Sequence, residues 1–459
     1  MLESSIERLT KNAISNRRTV LGKELAEKSV KTAGKQVVAR DVIERTAKAA
    51  DTLPSKAERA VMKSPTLRNK VTLHVSPESS QEALIQSIKD SKNSFYIETF
   101  IWHNDAAGNE VIQALADRVA KAKANGETYD AKVLIDWFGL RQGTGGTGDP
   151  LIVDKLRAGG VEVIEFARGY MDEGHLIPIT HRKLYIQDGR QFMTGGRNIG
   201  DEYLKPEFND PKGGHQNSWH DLLYTVEGDE TGRILDQFFD NWKRAGGKEP
   251  AVKPVIEASA TGRARVESFI TNPHTGVRSL AKAHLDLIAN AESEIVVMYP
   301  YLSDDKLVAA LRDAKRKNPK LVVKVILPAN KEVTAEGSIY QLLNKESARQ
   351  LMKEGIEVRM FAGGVVDGKA VERFSHFKGL IVDKKVVSIG SANGDYRTFH
   401  SNHELNTVIA DNATARNFLD EVVDPDWAAA VPVTQADLKA DSLWTRIKQH
   451  VLEALDNLL

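Results

Sequence analysis

THRKLYIQDGRQFMTGGRN, Thr180 to Asn198, returns later in the chain as SHFKGLIVDKKVVSIGSAN, Ser375 to Asn393. Each copy reads His-x-Lys-x4-Asp: His181, Lys183 and Asp188 in the first, His376, Lys378 and Asp383 in the second. Each continues into a small-residue turn that ends in Asn at the same offset. A single copy of so short a pattern is weak, but two with matching tails mark a duplicated unit. The copies lie 195 residues apart, a domain-length duplication rather than a short solenoid repeat.

The apolar runs KLYIQ and KGLIV read as strands, where alternate side chains share a face. His and Lys, two apart, then point into one pocket. Asp188 and Asp383 fall an odd number of residues from their His and read as structural anchors. Gly195-Gly196 and Gly390-Ser391 permit a tight turn that brings Asn198 or Asn393 back toward the pocket. The backbone N–H groups of Gly196 and Ser391 come with it, as substrate-binding donors. Two His, two Lys and two Asn brought together suit a tetrahedral anion. The lysines supply charge, the amides supply donors, one imidazole attacks phosphorus and the other protonates the leaving oxygen. The competing reading is two exposed edge strands with merely solvated His and Lys, and the duplication argues against it.

Outward from each motif the order of elements repeats. Helix SQEALIQSIKDSK leads to strand SFYIETFIW, helix GNEVIQALADRVAKAKANG to AKVLIDWF, and helix DPLIVDKLRAGG to VEVIEFA, before the first motif. In the second half SLAKAHLDLIANAE precedes SEIVVMYPY, DDKLVAALRDAKRK precedes KLVVKVILP, and SIYQLLNKESARQLMKEG precedes IEVRMFA. This alternation predicts α/β architecture with a sheet packed between helices. GGKEPAVKP, near 246 to 254, reads as the linker, and Leu204 to Ser218 as a loop on the rim of the site. The domains expected are a helical extension over 1–70, α/β units over 71–250 and 251–430, and an amphipathic helix in 431–459. A pseudo-twofold pair would face its two pockets together into one shared site.

The doubled motif with GGRN and GSAN tails resembles the phospholipase D superfamily, and within it the cardiolipin-synthase-type branch. YIETFIWHNDAAGNEVIQAL, WHDLLYTVEG, MYPYLSDDKLVAALRDA and SANGDYRTFHSNHELN resemble that branch's recurring segments, over roughly residues 71 to 425. The likeness implies two tandem phospholipase D-like α/β/α domains and no cofactor. It also implies acidic partners that fix the tautomer of each His, Glu404 in NHELN and Asp221 in WHDLLYTVEG. The activity implied is phosphatidyl transfer through a phosphohistidine. His181 is preferred as nucleophile, with His376 as acid toward the leaving alcohol and then as base toward the acceptor. The substrate expected is a phospholipid such as phosphatidylglycerol, met at a membrane surface. The setting expected is bacterial: cytoplasmic and peripheral to the inner membrane, or alternatively a secreted effector. Hydrolysis to phosphatidic acid is the first alternative. A nuclease of the same superfamily is the second, and a non-catalytic lipid-binding scaffold is the third.

Composition narrows these. The 63 Lys and Arg balance 63 Asp and Glu, without the positive excess of a dedicated nucleic-acid binder. With no cysteine, disulfides, thiolate nucleophiles and Cys-ligated zinc are excluded. HSNHE has the wrong spacing for a zinc-binding helix, and nothing else in the sequence suggests a metal. No apolar stretch reaches bilayer-spanning length, a departure from the cardiolipin synthases that carry such helices. The first 70 residues carry 16 Lys and Arg against 8 Asp and Glu. They read as a solvated helical extension or docking arm, with a surface that settles on anionic lipid as the alternative. SLWTRIKQHVLEALDNLL, from Ser442, reads as a helix on its own core, with membrane contact as its alternative. GTGGTG, Gly143 to Gly148, satisfies a dinucleotide fingerprint formally but reads as a loop by the pocket entrance. His400 and His403 read as polar core or loop residues rather than a proton relay. Trp102, Trp137, Trp219, Tyr301 and Tyr396 lie near strand ends where a groove would open.

Overall fold

The structure is a computed structural model that describes residues 54–141, 150–167, 178–206, 218–248, 262–329, 335–366 and 369–439. The N-terminal basic extension up to residue 53, GTGGTG, most of the rim loop, most of the linker and the C-terminal amphipathic helix lie outside the described residues.

The described residues from Lys56 onward form one compact unit. The first half contributes β1 (Thr66–His74), β2 (Ser94–Thr99), β3 (Asp130–Asp136), β4 (Glu162–Phe166), β5 (Leu184–Gln187), β6 (Gln191–Gly195) and β7 (Leu223–Gly228). The second contributes β8 (Ala264–Asn272), β9 (Val277–Arg278), β10 (Glu294–Met298), β11 (Val322–Pro328) and β12 (Glu357–Phe361). A separate hairpin follows, β13 (Gly363–Val366) with β14 (Lys369–Glu372). The half ends with β15 (Gly379–Val382), β16 (Val386–Gly390), β17 (Glu404–Ala410) and β18 (Val431–Pro432).

Sixteen strands form one sheet through both halves, among the described residues. Read outward from its centre, the first half runs β1-β7-β6-β5-β2-β3-β4 and the second β8-β17-β16-β15-β10-β11-β12. The order is the same, and the halves join where β1 pairs antiparallel with β8. This is pseudo-twofold symmetry, with the axis at the β1/β8 seam. In each half β2–β3–β4 and β10–β11–β12 are parallel, as helix crossovers require, while the motif hairpins β5–β6 and β15–β16 are antiparallel.

One face of the sheet carries a core shared by both halves. Phe238, Phe239 and Trp242 from the helix Thr231–Arg244 pack there with Tyr96 and Phe192, and Phe418 and Val422 meet Phe377 and Val387. The other face carries two separate cores. One is under the helices Pro77–Asp90 and Ala106–Ala124, and the other is under Ser279–Ala289 and Asp305–Lys317. The Tyr224 hydroxyl on β7 lies 2.9 Å from the Ile389 carbonyl on β16, with three strands between them in the order, so the sheet curves around the shared core.

The helices begin where the sequence dictates. Ser76 caps Pro77–Asp90 with a capping box, Asp105 caps Ala106–Ala124 by accepting from Gly108 N, and Asp304 caps Asp305–Lys317 through Leu307 N.

Candidate functional site

The sheet order explains how two distant motifs come together. The strands expected to include the motif His and Lys start one residue after the lysine, at Leu184 and Gly379. The reason is a change of partner. Thr180 and Ser375 leave their own halves' ladders and bridge in parallel to His403 and His220 of the opposite halves. His181 N donates to His403 O at 3.0 Å, and His403 N donates to Ile179 O at 2.8 Å. The twofold mate repeats this, with His376 N donating to His220 O at 2.9 Å and His220 N donating to Phe374 O at 2.8 Å. Each motif is therefore bonded through its backbone to the chain that carries the other half's acid, one residue on.

The side chains complete the exchange. His181 Nδ1 lies 2.9 Å from Glu404 Oε1, and His376 Nδ1 lies 2.7 Å from Asp221 Oδ2. Each imidazole is thus oriented by a carboxylate from the opposite half, and Nε2 is the nitrogen left for chemistry. Both rings line one cleft of about 640 Å³, open mouth included, together with Asn198 and Asn393. Asn198 Oδ1 accepts weakly from Ile101 N at 3.4 Å, while Asn393 Oδ1 is buried without a hydrogen-bond partner.

The lysines stand behind the rings rather than on the wall. Lys183 Nζ donates to His181 O at 2.7 Å and Lys378 Nζ to His376 O at 2.6 Å, both side chains fully buried. Gly196 and Ser391 differ from expectation too, because they sit behind the carboxylates and not on the cleft wall. Their N–H groups are committed to Leu222 O and Leu405 O. A Cβ on Gly196 would lie 2.1 Å from Asp221 Oδ2, so the carboxylate fills the space a side chain would need. At the matching position the Ser391 hydroxyl donates to Glu404 Oε2.

Asp188 and Asp383 sit at left-handed turns, both with φ +55°, a conformation Asp tolerates better than most residues. Asp188 accepts from the N–H groups of Lys92, Asn93 and Ser94 at 2.7 to 2.9 Å for its nearest oxygens. Asp383 accepts from Glu292, Ser293 and Glu294. Each pins the entry to the first parallel strand of its half, β2 or β10, against the motif hairpin.

Burial and charge shape the protonation of the site. Burial raises the Glu404 carboxyl to about 7, with Lys183, the Ser391 hydroxyl and Lys378 resisting. Burial also works to raise Asp221, but Lys378, the His376 hydrogen bond and Arg197 outweigh it and hold this carboxyl below its usual value. Burial, Lys183, Lys378 and Arg397 push His181 well down, and burial with Lys378 pushes His376 down to about 3. Lys183 is depressed by burial with Lys378 beside it, against Glu404, Asp221 and Asp136. The site thus holds neutral imidazoles with free lone pairs, the form a nucleophile needs.

Asp136, Asp395, Arg397 and Asn402 are among the site residues not singled out from the sequence. Asp136, at the end of β3, accepts from Thr180 N at 2.8 Å and so fixes the residue before His181. Burial raises it to about 7. Asp395, Arg397 and Asn402 line the cleft. The signal available was position: Asp395 and Arg397 follow Asn393 within SANGDYR, and Asn402 precedes Glu404 by two, as Trp219 precedes Asp221.

Of the aromatics, Trp219 and Tyr301 reach the wall, Trp219 with its ring 4.8 Å from His376. Trp102 is buried and donates to Gly108 O, Trp137 lies under the Arg141 guanidinium, and Tyr396 stacks on His400. His403 bonds through Nε2 to His274 Nδ1 at 2.7 Å, and neither His400 nor His403 lines the cleft. Among the described residues no group of three or more His, Asp or Glu is placed to hold a metal ion, and no helix is long and apolar enough to cross a membrane.

A family profile described as "Cardiolipin synthase, PLD-like domain" matches residues 284–427. "Cardiolipin synthase A" of Pseudomonas syringae pv. syringae is 28% identical over 352 residues, covering 75% of this chain and 66% of that protein. "Cardiolipin synthase" of Listeria monocytogenes serotype 4a is 25% identical over 405 residues, covering 85% of this chain and 76% of its own length. Among solved structures, the phosphatidylserine synthase of Haemophilus influenzae Rd KW20 superposes with a TM-score of 0.62 at 14% identity. It matches 88% of this chain and 98% of its own, a likeness of fold.

Proposed function

Because the chain belongs to the phospholipase D superfamily, we propose that it is a phosphatidyltransferase of the cardiolipin synthase kind. The observation that carries this reading is the exchanged pair of relays, His181–Glu404 and His376–Asp221, on the wall of one cleft. In the first step His181 Nε2 bonds to phosphorus as the bond to the headgroup oxygen breaks. With the anionic phosphate bound beside it, His376 takes up a proton on Nε2 from solvent and delivers it to the departing alcohol. In the second step an acceptor hydroxyl gives its proton to His376 and its oxygen displaces the phosphohistidine. The buried lysines and the Asn198 and Asn393 amides offset charge on the phosphoryl oxygens. The cardiolipin synthases of P. syringae and L. monocytogenes support the lipid assignment, and a membrane surface is where such a substrate is met.

The test is incubation with vesicles of labelled phosphatidylglycerol or phosphatidylethanolamine, resolving cardiolipin from phosphatidic acid. Cardiolipin from phosphatidylglycerol is the expected product. Phosphatidic acid alone would make the protein a hydrolase, and no lipid turnover would remove the reading. His181→Ala and His376→Ala should each lower the rate by at least about 10⁴-fold, as loss of a covalent or proton-transfer group does. A near-normal rate in His376→Ala would rule out the shared mechanism.

A further inference from the structure

His220 and His403, the residues just before the two relay acids, have the same main-chain role and different side-chain partners. Each carbonyl accepts from the N–H of a motif histidine, His220 O from His376 and His403 O from His181. Each ring is then tied down away from the cleft. His220 Nε2 lies 2.7 Å from Asp426 Oδ2, and its ring stacks on Phe361. His403 Nε2 lies 2.7 Å from His274 Nδ1, and both of these rings stand edge-on to Phe166. One imidazole is held by a carboxylate, the other by a second imidazole.

A contact of that length between two imidazoles holds one proton, and the surroundings decide which ring donates it. Burial, Arg182 and Arg244 keep the His403 ring neutral, and burial with Arg244 does the same for His274, against Asp240. Were His274 the donor, the one proton of a neutral His403 would sit on Nδ1. That nitrogen is buried without a hydrogen-bond partner, and the Arg182 guanidinium is close enough to weigh on the ring. A cation favours a lone pair over an N–H, so Nδ1 stays bare and His403 Nε2 donates to His274 Nδ1. Arg182 is kept in place by Glu98 at 3.8 Å, and its guanidinium makes no hydrogen bond among the described residues. The twofold mate needs no such cation: a carboxylate can only accept, and Phe377 stands where Arg182 does. His274 itself sits in the turn after β8, where Asn272 Oδ1 accepts from Thr275 N at 3.2 Å, and β8 pairs Thr271 with Glu404. The stretch 271–275 therefore grips His403 by its ring and Glu404 by its main chain.

We propose that His274 is a positioning residue for His181: by accepting from His403 Nε2 it fixes the two-residue segment that supplies both the main-chain acceptor and the carboxylate of that histidine, with Arg182 setting the direction of the bond. The inference rests on reading His181–Glu404 as a working relay, and it assigns a role to two side chains, His274 and Arg182, that do not line the cleft.

Two measurements decide it. The first needs no turnover and follows the ring nitrogens by NMR in protein labelled with 15N-histidine, at mildly alkaline pH where Glu404 is ionised. Wild type should show His403 protonated on Nε2 and His181 on Nδ1 alone. His274→Phe should leave His181 as a mixture of tautomers. His274→Asn, whose side-chain oxygen falls close to the place of Nδ1, should restore the single form. A proton on His403 Nδ1, or an unmoved His181 in His274→Phe, overturns the proposal. The second measurement is turnover of labelled phosphatidylglycerol in vesicles. In His274→Phe kcat should fall by about tenfold with KM unchanged, the worth of one buried donor left unmet, and His274→Asn should recover to within about threefold of wild type. A lowered Tm with wild-type kcat would make His274 a packing residue only and refute the role. If wild type turns over no lipid, the phosphatidyl-transfer reading fails, while the tautomer of His181 still judges this one.

Discussion

The relay of His376 and the relay of His181 share a backbone but differ in length, neighbours and charge. Asp221 is short, backs onto Gly196, and is held ionised with Lys378 Nζ 3.9 Å away. Glu404 is one methylene longer, accepts a hydrogen bond from the Ser391 hydroxyl, and is raised to about 7. A similar contrast runs through the structure behind them. Arg182, between His181 and Lys183, lies 3.8 Å from Glu98, both fully buried. At the matching places the second half has Phe377 and Met298 in its apolar core. The two halves repeat one scaffold, and the carboxyls it positions differ in proton affinity. That divergence is what an enzyme needs when one imidazole is to bind phosphorus and the other is to move a proton.

Giving one half the residue of the other is the sharpest way to break this contrast. Gly196→Ser places atoms where Asp221 Oδ2 now sits, 2.1 Å from the new Cβ, and must displace the carboxylate from His376. A rate loss of about 10³-fold or more is expected in the vesicle assay, as when an orienting carboxylate is removed from a catalytic His. A wild-type rate would mean that the Asp221–His376 bond is dispensable.

Next in size is the buried pair. Glu98→Leu strands the Arg182 guanidinium and removes the acceptor of Thr180 and Asn241, at a cost of about 3–5 kcal/mol in denaturant unfolding. Met298→Leu, its twofold counterpart, should cost under about 1.5 kcal/mol. Similar costs would show that the ion pair is not what distinguishes the halves.

The carboxyls should also separate by pH. Glu404 takes up a proton as pH falls through about 7, and it then no longer supports positive charge on His181. Asp221, with its lowered value, stays ionised across that range. The rate should therefore fall below about pH 7, by up to about tenfold per unit. Glu404→Gln should flatten this limb while lowering the plateau, and Asp221→Asn should lower the plateau and keep the limb. For stability the sign is the reverse of an ordinary salt-bridged acid. A folded value above the unfolded one makes ionised Glu404 a cost that grows as pH rises through about 7. The smallest effect expected is that of Ser391→Gly. It removes one hydrogen bond to Glu404, and a change of a few-fold in rate with an acid limb moved upward would register it.

Much of this was legible in the chain. The doubled motif and the repeated order of helices and strands are local signals with regular spacing, while the acids Asp221 and Glu404, at unequal offsets from their motif His, came from the family resemblance. What spacing does not contain is which half supplies which acid. The exchange depends on Thr180 and Ser375 leaving their own ladders for the opposite half, a tertiary choice invisible to periodicity. The same limit explains Gly196 and Ser391. Glycine and serine after a strand read as turn and donor, while their use as clearance and buffer for a carboxylate depends on Leu222 and Leu405 claiming their N–H groups. Asp136 and Arg397 were missed because an acid at a strand end and an arginine on a short helix are common.

The exchange has one more consequence, for the growing chain. The four relay residues leave the ribosome in the order His181, Asp221, His376, Glu404, so the first imidazole must wait for the last carboxylate. A chain that ends before position 404 lacks the carboxylate that pairs with His181, and neither half can complete a relay alone.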